Sequence, residues 1–236
     1  YMGWSVMVGT FAALVAQQGF TGPHTILEGR KGLARCIMPQ EYDFERAMQN
    51  LGREYGIEGT YFKRHACCRS LHNTIDAVLY LKQTHKINPK EVKRIVVRTN
   101  NNDSTLNKSE IRNAVQARFS IPYVDAVALT RGSVDLDSFS HDMLSDSRIL
   151  ELARRVEVLA DPEMNEMYHK EGKRACTVKI ELRNGESYCH HIGYPKGEPE
   201  NPFTDEELEQ KFRSLAALTL ETENIENVVK SVNQLE

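Results

Sequence analysis

Hydrophobic and polar positions follow several different rhythms along this chain, and each rhythm predicts a different element. From Tyr1 to Ala16 the residues are apolar on nearly every side, interrupted only by Gly3, Ser5, Gly9 and Thr10. A helix of that kind has to be buried by its neighbours. Its small residues Gly3, Gly9, Ala12, Ala13 and Ala16 leave room for close helix contacts. The run is short for a bilayer span and has no basic flank, so it reads as neither a transmembrane helix nor a signal peptide. The sequence opens directly with this segment. The cover is therefore expected from a partner chain or from an earlier part of a longer protein, and we adopt the second reading.

The breakers Gly19-Phe20-Thr21-Gly22-Pro23 end that helix. Apolar residues then recur at helical spacing from Tyr42 to Tyr55. Ile75, Val78, Leu79 and Leu81 predict a further amphipathic helix with Asn73 or Thr74 as its cap. Val92 to Thr99 alternates as a strand, with Ile95 and Val97 on one face and Arg94, Val96 and Arg98 on the other. Asn100 to Ser109 reads as a loop. Ile111 to Thr130 has a helical pattern broken at Ser120-Ile121-Pro122. A helix over Asp146 to Arg155 leads into a strand over Val156 to Ala160.

Ala175 to Leu182 and Ser187 to Ile192 flank Asn184-Gly185, which predicts a β-hairpin. With a two-residue turn, Ile180 lies opposite Cys189 and Val178 opposite His191, which makes His191 a core residue. His190 and His191 then point to opposite faces and form no metal chelate. After the connector Gly193 to Pro202, Thr204-Asp205-Glu206-Glu207 is a capping box. It opens a helix running through Lys211, Phe212 and Leu215, and Ile225, Val228, Val229 and Val232 mark the last one. The order is helices, a mixed α+β block, then helices, as if the chain leaves a helical domain and returns to it.

Composition narrows the function. The chain has 236 residues, a net charge of -3 and no basic excess, which argues against nucleic acid as a partner. Five cysteines without CxxC spacing suit free thiols in a reducing, cytoplasmic setting. The densest chemistry lies in Lys63-Arg64-His65-Ala66-Cys67-Cys68-Arg69-Ser70-Leu71-His72. Five of these ten residues carry or can acquire positive charge, and none is acidic. Such crowding suits a pocket for a multiply charged carboxylate, or else a solvated basic loop. Cys67 and Cys68 lack the acid–base neighbours of a thiol nucleophile and read as packing residues. Arg64 and His65 read as rim or surface. Asp76, one turn beyond His72, reads as its orienting acid or as an ordinary i,i+4 contact.

Several segments together resemble the MmgE/PrpD family. They are Gly19-Phe20-Thr21-Gly22-Pro23 with Leu27-Glu28-Gly29, Leu51-Gly52, and Lys63 with Cys68-Arg69 and His72 ahead of Ile75-Asp76-Ala77. Further along are Ala117-Arg118-Phe119-Ser120-Ile121-Pro122-Tyr123 and Asn201-Pro202-Phe203-Thr204 with Lys211-Phe212. The family includes 2-methylcitrate dehydratase, cis-aconitate decarboxylase and iminodisuccinate epimerase. The resemblance implies an α+β fold made of part of an all-helical domain and a smaller α+β lid. Residues 1–58 would belong to the helical domain and 59–195 to the lid, while 196–236 would form helices packing back on the helical domain.

It further implies a homodimer that uses no cofactor and no metal, touches no membrane, and needs the missing N-terminal part of the helical domain. The isolated chain would then be inactive. By the same resemblance Lys63, His72 and Tyr123 are candidate catalytic residues, and Lys63 and Arg69 candidate substrate-binding residues. The implied activity is that of a lyase, dehydrating a small di- or tricarboxylate by proton transfer next to a carboxylate. Decarboxylation or isomerisation of the same kind of substrate is the alternative, as is a truncated, non-catalytic homologue serving as a binding module. Two departures stand out. The family's lysine is commonly followed by proline, an aromatic and a second proline, where this chain has Arg64, His65 and Ala66. Met7 stands where some relatives carry lysine.

Overall fold

The computed structural model of the chain describes residues 2–37 and 43–235. Tyr1 and Tyr42, where the hydrophobic pattern begins two helices, lie outside them. The chain divides into two compact units, Tyr1–Glu58 and Gly59–Glu236. The first holds helix α1 (Met2–Gln17) and two short helices, Leu33–Ile37 and Phe44–Met48. Trp4, Phe11 and Leu14 of α1 are exposed, where the apolar pattern predicted burial. The helix expected up to Tyr55 stops early. Met48, Leu51 and Tyr55 are exposed there, so burial gives little to prolong the helix.

The second unit is built on α2 (His72–His85), strand β1 (Val92–Thr99), α3 (Ile121–Arg131), α4 (Ser147–Ala153) and β2 (Val156–Ala160). It continues through α5 (Pro162–Glu171), β3 (Cys176–Leu182), β4 (Ser187–Ile192), α6 (Asp205–Ala216) and α7 (Thr222–Val232). The strands form one sheet in the order β2-β1-β3-β4. β1 is parallel to β2 and antiparallel to β3, and β3 is antiparallel to β4. Two parallel neighbours need a crossover, and α3 and α4 lie within it. α2 packs on β3, β4 and α3, while α3 packs on α4 and β2. Leu71, Ile75, Val78 and Leu81 meet Ile95, Val97, Val178 and Ile180 in the core. The chain is thus of mixed α+β class.

Three local expectations change. The hairpin loop has three residues, 183–185, closed by the Leu182 N–H donating to the Glu186 carbonyl at 2.8 Å. Gly185, at a φ of 93°, supplies the left-handed residue that such a loop needs. Ile180 therefore pairs with Tyr188 and Val178 with His190, and a one-residue slip exchanges the two faces. His191 and Cys189 are exposed instead of buried. Tyr188 and His190 turn to α2, where their rings stack on His85 and Tyr80 at 3.9 and 3.8 Å between centroids.

The second change is at the start of α2. Asn73 and Thr74 lie inside the helix, which follows a single 3₁₀ turn over Arg69–Leu71. The Thr74 hydroxyl turns back to the Leu71 carbonyl at 3.0 Å instead of capping. The third is the segment 100–109, which contains a short helix, Asn101–Ser104, capped by Asn100. The capping box ahead of α6 forms as predicted, with Thr204 and Glu207 bonded reciprocally. Among the described residues no helix is long and apolar enough to cross a membrane.

Candidate functional site

The basic strip 63–68 forms one wall of a cavity of about 590 Å³. Backbone bonds fix the strip in place. Cys68 N–H donates to the Arg118 carbonyl at 3.0 Å, Ala66 N–H to the Val134 carbonyl at 3.3 Å, and Phe62 N–H to the Gly197 carbonyl at 2.9 Å. The Lys211 ammonium donates to the Lys63 carbonyl at 2.6 Å, which ties α6 to the same strip. The opposite walls come from Arg118 and Phe119, from the turn after α3 at 132–136, and from Lys211, Ser214 and Leu215 on α6. Gly197 is required at its crossing: a Cβ there would lie 2.1 Å from the Phe62 carbonyl oxygen, and its φ is 100°.

The cavity lining mixes cationic and apolar side chains. Lys63, Arg64, Arg118 and Lys211 line it against a single acid, Asp135, while Phe119, Leu136 and Leu215 supply apolar surface. Asp135 is already taken by Ser133 and Ser138, whose bonds help hold its carboxyl below the usual range. Lys63 is exposed and donates to the Cys67 carbonyl at 3.2 Å. The Arg118 guanidinium lies 5.0 Å from the Phe139 ring centroid. Burial pulls the Lys211 amine below the usual lysine value. An anion entering this space meets several cations without having to displace carboxylates from most of them.

His65, expected at the rim, is instead only 4% exposed and forms part of the cavity wall. Its Nε2 lies 2.9 Å from Asp76 Oδ1. Arg64 Nη1 reaches the same oxygen at 3.2 Å, and Lys196 N–H donates to Oδ2 at 2.9 Å. Burial alone would raise the Asp76 pKa, but these three donors, His65 foremost, hold it below the usual carboxylate value. Burial outweighs Asp76 at His65 and lowers its pKa below that of a free imidazole. A neutral imidazole facing an ionised carboxylate donates an Nε2–H hydrogen bond to it and keeps Nδ1 as the basic nitrogen.

The four residues singled out in the sequence are not gathered around one space. Lys63 lines the cavity, whereas Arg69, His72 and Tyr123 do not. Arg69 is held by Glu198 through Nε at 2.7 Å and Nη2 at 2.6 Å, and its guanidinium stacks on Tyr61 at 4.5 Å. That bidentate pair raises its pKa and occupies the fork a substrate carboxylate would need. His72 sits behind the wall, edge-on to His65 at 5.1 Å between centroids. Burial, and after it His65, lowers its pKa to about 3, and its Nε2 is buried with no partner among the described residues. Asp76 therefore pairs with His65 and Arg64, not with His72.

Tyr123 is fully buried, and its hydroxyl donates to the Ser138 carbonyl at 2.7 Å. Burial pushes its pKa up to about 12. Cys67 is buried and its thiol is pushed up by desolvation, which leaves it a poor nucleophile. Among the described residues no group of three or more His, Cys, Asp or Glu side chains is placed to hold a metal ion. Three cavity residues received no role in the sequence reading: His65, Arg118 and Lys211. Arg118 and Lys211 stand in the Ala117-Arg118-Phe119 and Lys211-Phe212 segments, so the motifs held them without showing that they face one another. For His65 the only signal was its place in the basic strip.

The family model described as MmgE/PrpD C-terminal domain matches residues 65–235. A cis-aconitate decarboxylase-like protein, oryM, of Aspergillus oryzae (strain ATCC 42149 / RIB 40) is 25% identical over 97% of this chain and 50% of its own length. A human cis-aconitate decarboxylase is 24% identical over 100% of this chain and 49% of its own length. One from Aspergillus terreus (strain NIH 2624 / FGSC A1156) is 23% identical over 99% and 51%. The chain spans about half the length of the curated relatives it matches.

Proposed function

The chain belongs to the MmgE/PrpD family, and on that premise we propose that it serves a lyase acting on a small di- or tricarboxylate. The observation that carries this reading is the four-to-one excess of cations over acids around an open, partly apolar cavity. Carboxylates of the substrate lie against Lys63, Arg118 and Lys211, and its carbon chain lies against Phe119 and Leu136. Arg69, locked on Glu198, holds the strip that carries Lys63, and His72 and Tyr123 support the wall from behind.

The reaction is dehydration of a hydroxy acid of the 2-methylcitrate kind, by proton removal next to a carboxylate. Cations beside that carboxylate stabilise the charge that develops on it. A second reading, decarboxylation, has its support in the relatives, which are named cis-aconitate decarboxylases. As the family resemblance implies, the working enzyme is a cytoplasmic homodimer that uses no cofactor. Residues 59–195 form its lid, and 196–236 return to an all-helical body to which 1–58 contribute.

Incubating the full-length protein with 2-methylcitrate and with cis-aconitate, followed by proton NMR and CO₂ release, separates the two reactions. Lys63→Ala is expected to weaken binding of the active substrate by about 10- to 100-fold, the loss of one charge-assisted hydrogen bond. Absence of turnover of either acid, together with unchanged affinity in Lys63→Ala, would remove the assignment.

A further inference from the structure

The basic strip holds two kinds of group, and the carboxylate-binding role uses only one of them. Lys63 and Arg64 carry fixed charge at the mouth. His65 is different: it is buried in the wall, oriented by an acid, and lines the cavity that the cations surround. We infer that His65, positioned by Asp76, is the group that transfers the proton at the carbon next to the bound carboxylate. This rests on the lyase reading given above and assigns its chemical step.

The geometry has the parts such a step needs. Asp76 is fixed by three donors from two segments: the Arg64 guanidinium and the His65 ring of the strip, and the Lys196 N–H. It thereby sets the tautomer and the ring orientation of His65. The other charged or titratable groups facing that ring are Lys211 from α6 and His72 from α2. Both are cationic or neutral, so none competes with Asp76 for the Nε2 proton. In the dehydration direction the carbon–hydrogen bond breaks and its proton bonds to Nδ1, giving an imidazolium whose charge Asp76 offsets. The released electron pair forms the new carbon–carbon double bond as the carbon–oxygen bond on the adjacent carbon breaks. The departing hydroxide takes a proton from solvent and leaves as water, and the imidazolium returns its own proton to solvent.

A structural latch is the competing role, since the same contacts tie the strip to α2 and to the 196–198 loop. Steady-state kinetics of the full-length protein on 2-methylcitrate and cis-aconitate distinguish the two. His65→Gln is expected to lower kcat by 100-fold or more with KM within about threefold, the usual scale for a lost proton-transfer group. Asp76→Asn, a positioning change, is expected to lower kcat less. It should also move the acidic limb of the kcat/KM profile to lower pH, because the acid that favours the imidazolium is gone. A folded His65→Gln protein keeping more than a third of wild-type kcat would overturn the inference and leave the lyase reading standing. So would Asp76→Asn with an unmoved acidic limb, a measurement that holds even if His65→Gln does not fold. Wild-type protein that turns over neither acid would end both.

Discussion

Asp76 and Asp125 are aspartates buried within one helix pair, and their surroundings push them in opposite directions. Asp76 on α2 meets three donors and stays ionised below the usual carboxylate value. Asp125 on α3 has the Thr74 hydroxyl at 2.7 Å from Oδ1, while Oδ2 has no partner among the described residues. Burial pushes its pKa up to about 8, so at neutral pH it holds its proton. Thr74 lies two residues from Asp76 on the same helix, so depth alone does not decide the charge. The count of donors does. The ionised aspartate holds two side chains of the cavity wall, His65 and Arg64, and the neutral one belongs to the helix packing.

The two sites should respond to substitution with opposite signs. Asp76→Ala leaves the Arg64 guanidinium, the His65 ring and the Lys196 N–H without their acceptor. Its expected cost is about 2 to 3 kcal/mol, as for leaving buried hydrogen-bond donors unsatisfied, read from urea unfolding at pH 7. Asp125→Asn should stabilise. Holding a proton that the unfolded chain would release costs roughly 4 kcal/mol at pH 7, given a folded pKa of about 8 and an unfolded one near 3.9. An amide left short of acceptors returns part of that, for a net gain of roughly 2 kcal/mol. If both variants shift stability the same way, the contrast between the two acids is wrong.

The pH dependence sharpens the same contrast. Between about pH 4 and 8 the folded chain keeps the Asp125 proton that the unfolded chain has lost, so stability falls as pH rises through that window. His72 acts in reverse. Its folded pKa of about 3 lies below the unfolded value near 6.5, so stability falls as pH drops through that interval. The two slopes oppose each other between about pH 4 and 6.5. Asp125→Asn should remove one and expose a clear rise in stability from pH 4 to 6.5. A wild-type-like profile in that variant would place the charge elsewhere.

Two smaller effects test the frame around the wall. Gly197→Ala places a methyl group against the Phe62 carbonyl in a backbone conformation side chains avoid, at an expected cost of about 1 to 3 kcal/mol in thermal or urea unfolding. Tyr80→Ala, which removes the stack on His190 from a residue outside the cavity lining, should cost about 1 kcal/mol beyond lost burial. It should leave ligand affinity unchanged.

Much of the scaffold was legible because its signals are local. The alternation over Val92 to Thr99, the capping box at Thr204 and the break at Ser120-Ile121-Pro122 each state their own structure. Helix α5 also carries a local signal, Asp161 as cap with Pro162 in the first turn, but its weakly apolar sequence hides it. The hairpin was legible as a hairpin but not in register. Asn184-Gly185 permits a two- or a three-residue loop, and the choice depends on the Leu182–Glu186 bond. The site was harder to read. Lys63 could be picked from charge crowding and family resemblance, whereas His65 acquires its character from Asp76, eleven residues on, and from the loop at 196. Arg69 looked free because Glu198, 129 residues away, is invisible from its own surroundings.

The crossing at Gly197 also orders events in time. The strip bearing Lys63 and His65 leaves the ribosome long before residues 196–211, which supply its hydrogen bonds to Phe62, Asp76 and the Lys63 carbonyl. Contacts so distant in sequence require a large loop to close before they are rewarded. The sheet and its two covering helices can therefore assemble during synthesis with the cavity still incomplete, and its last wall arrives only after translation has passed α6.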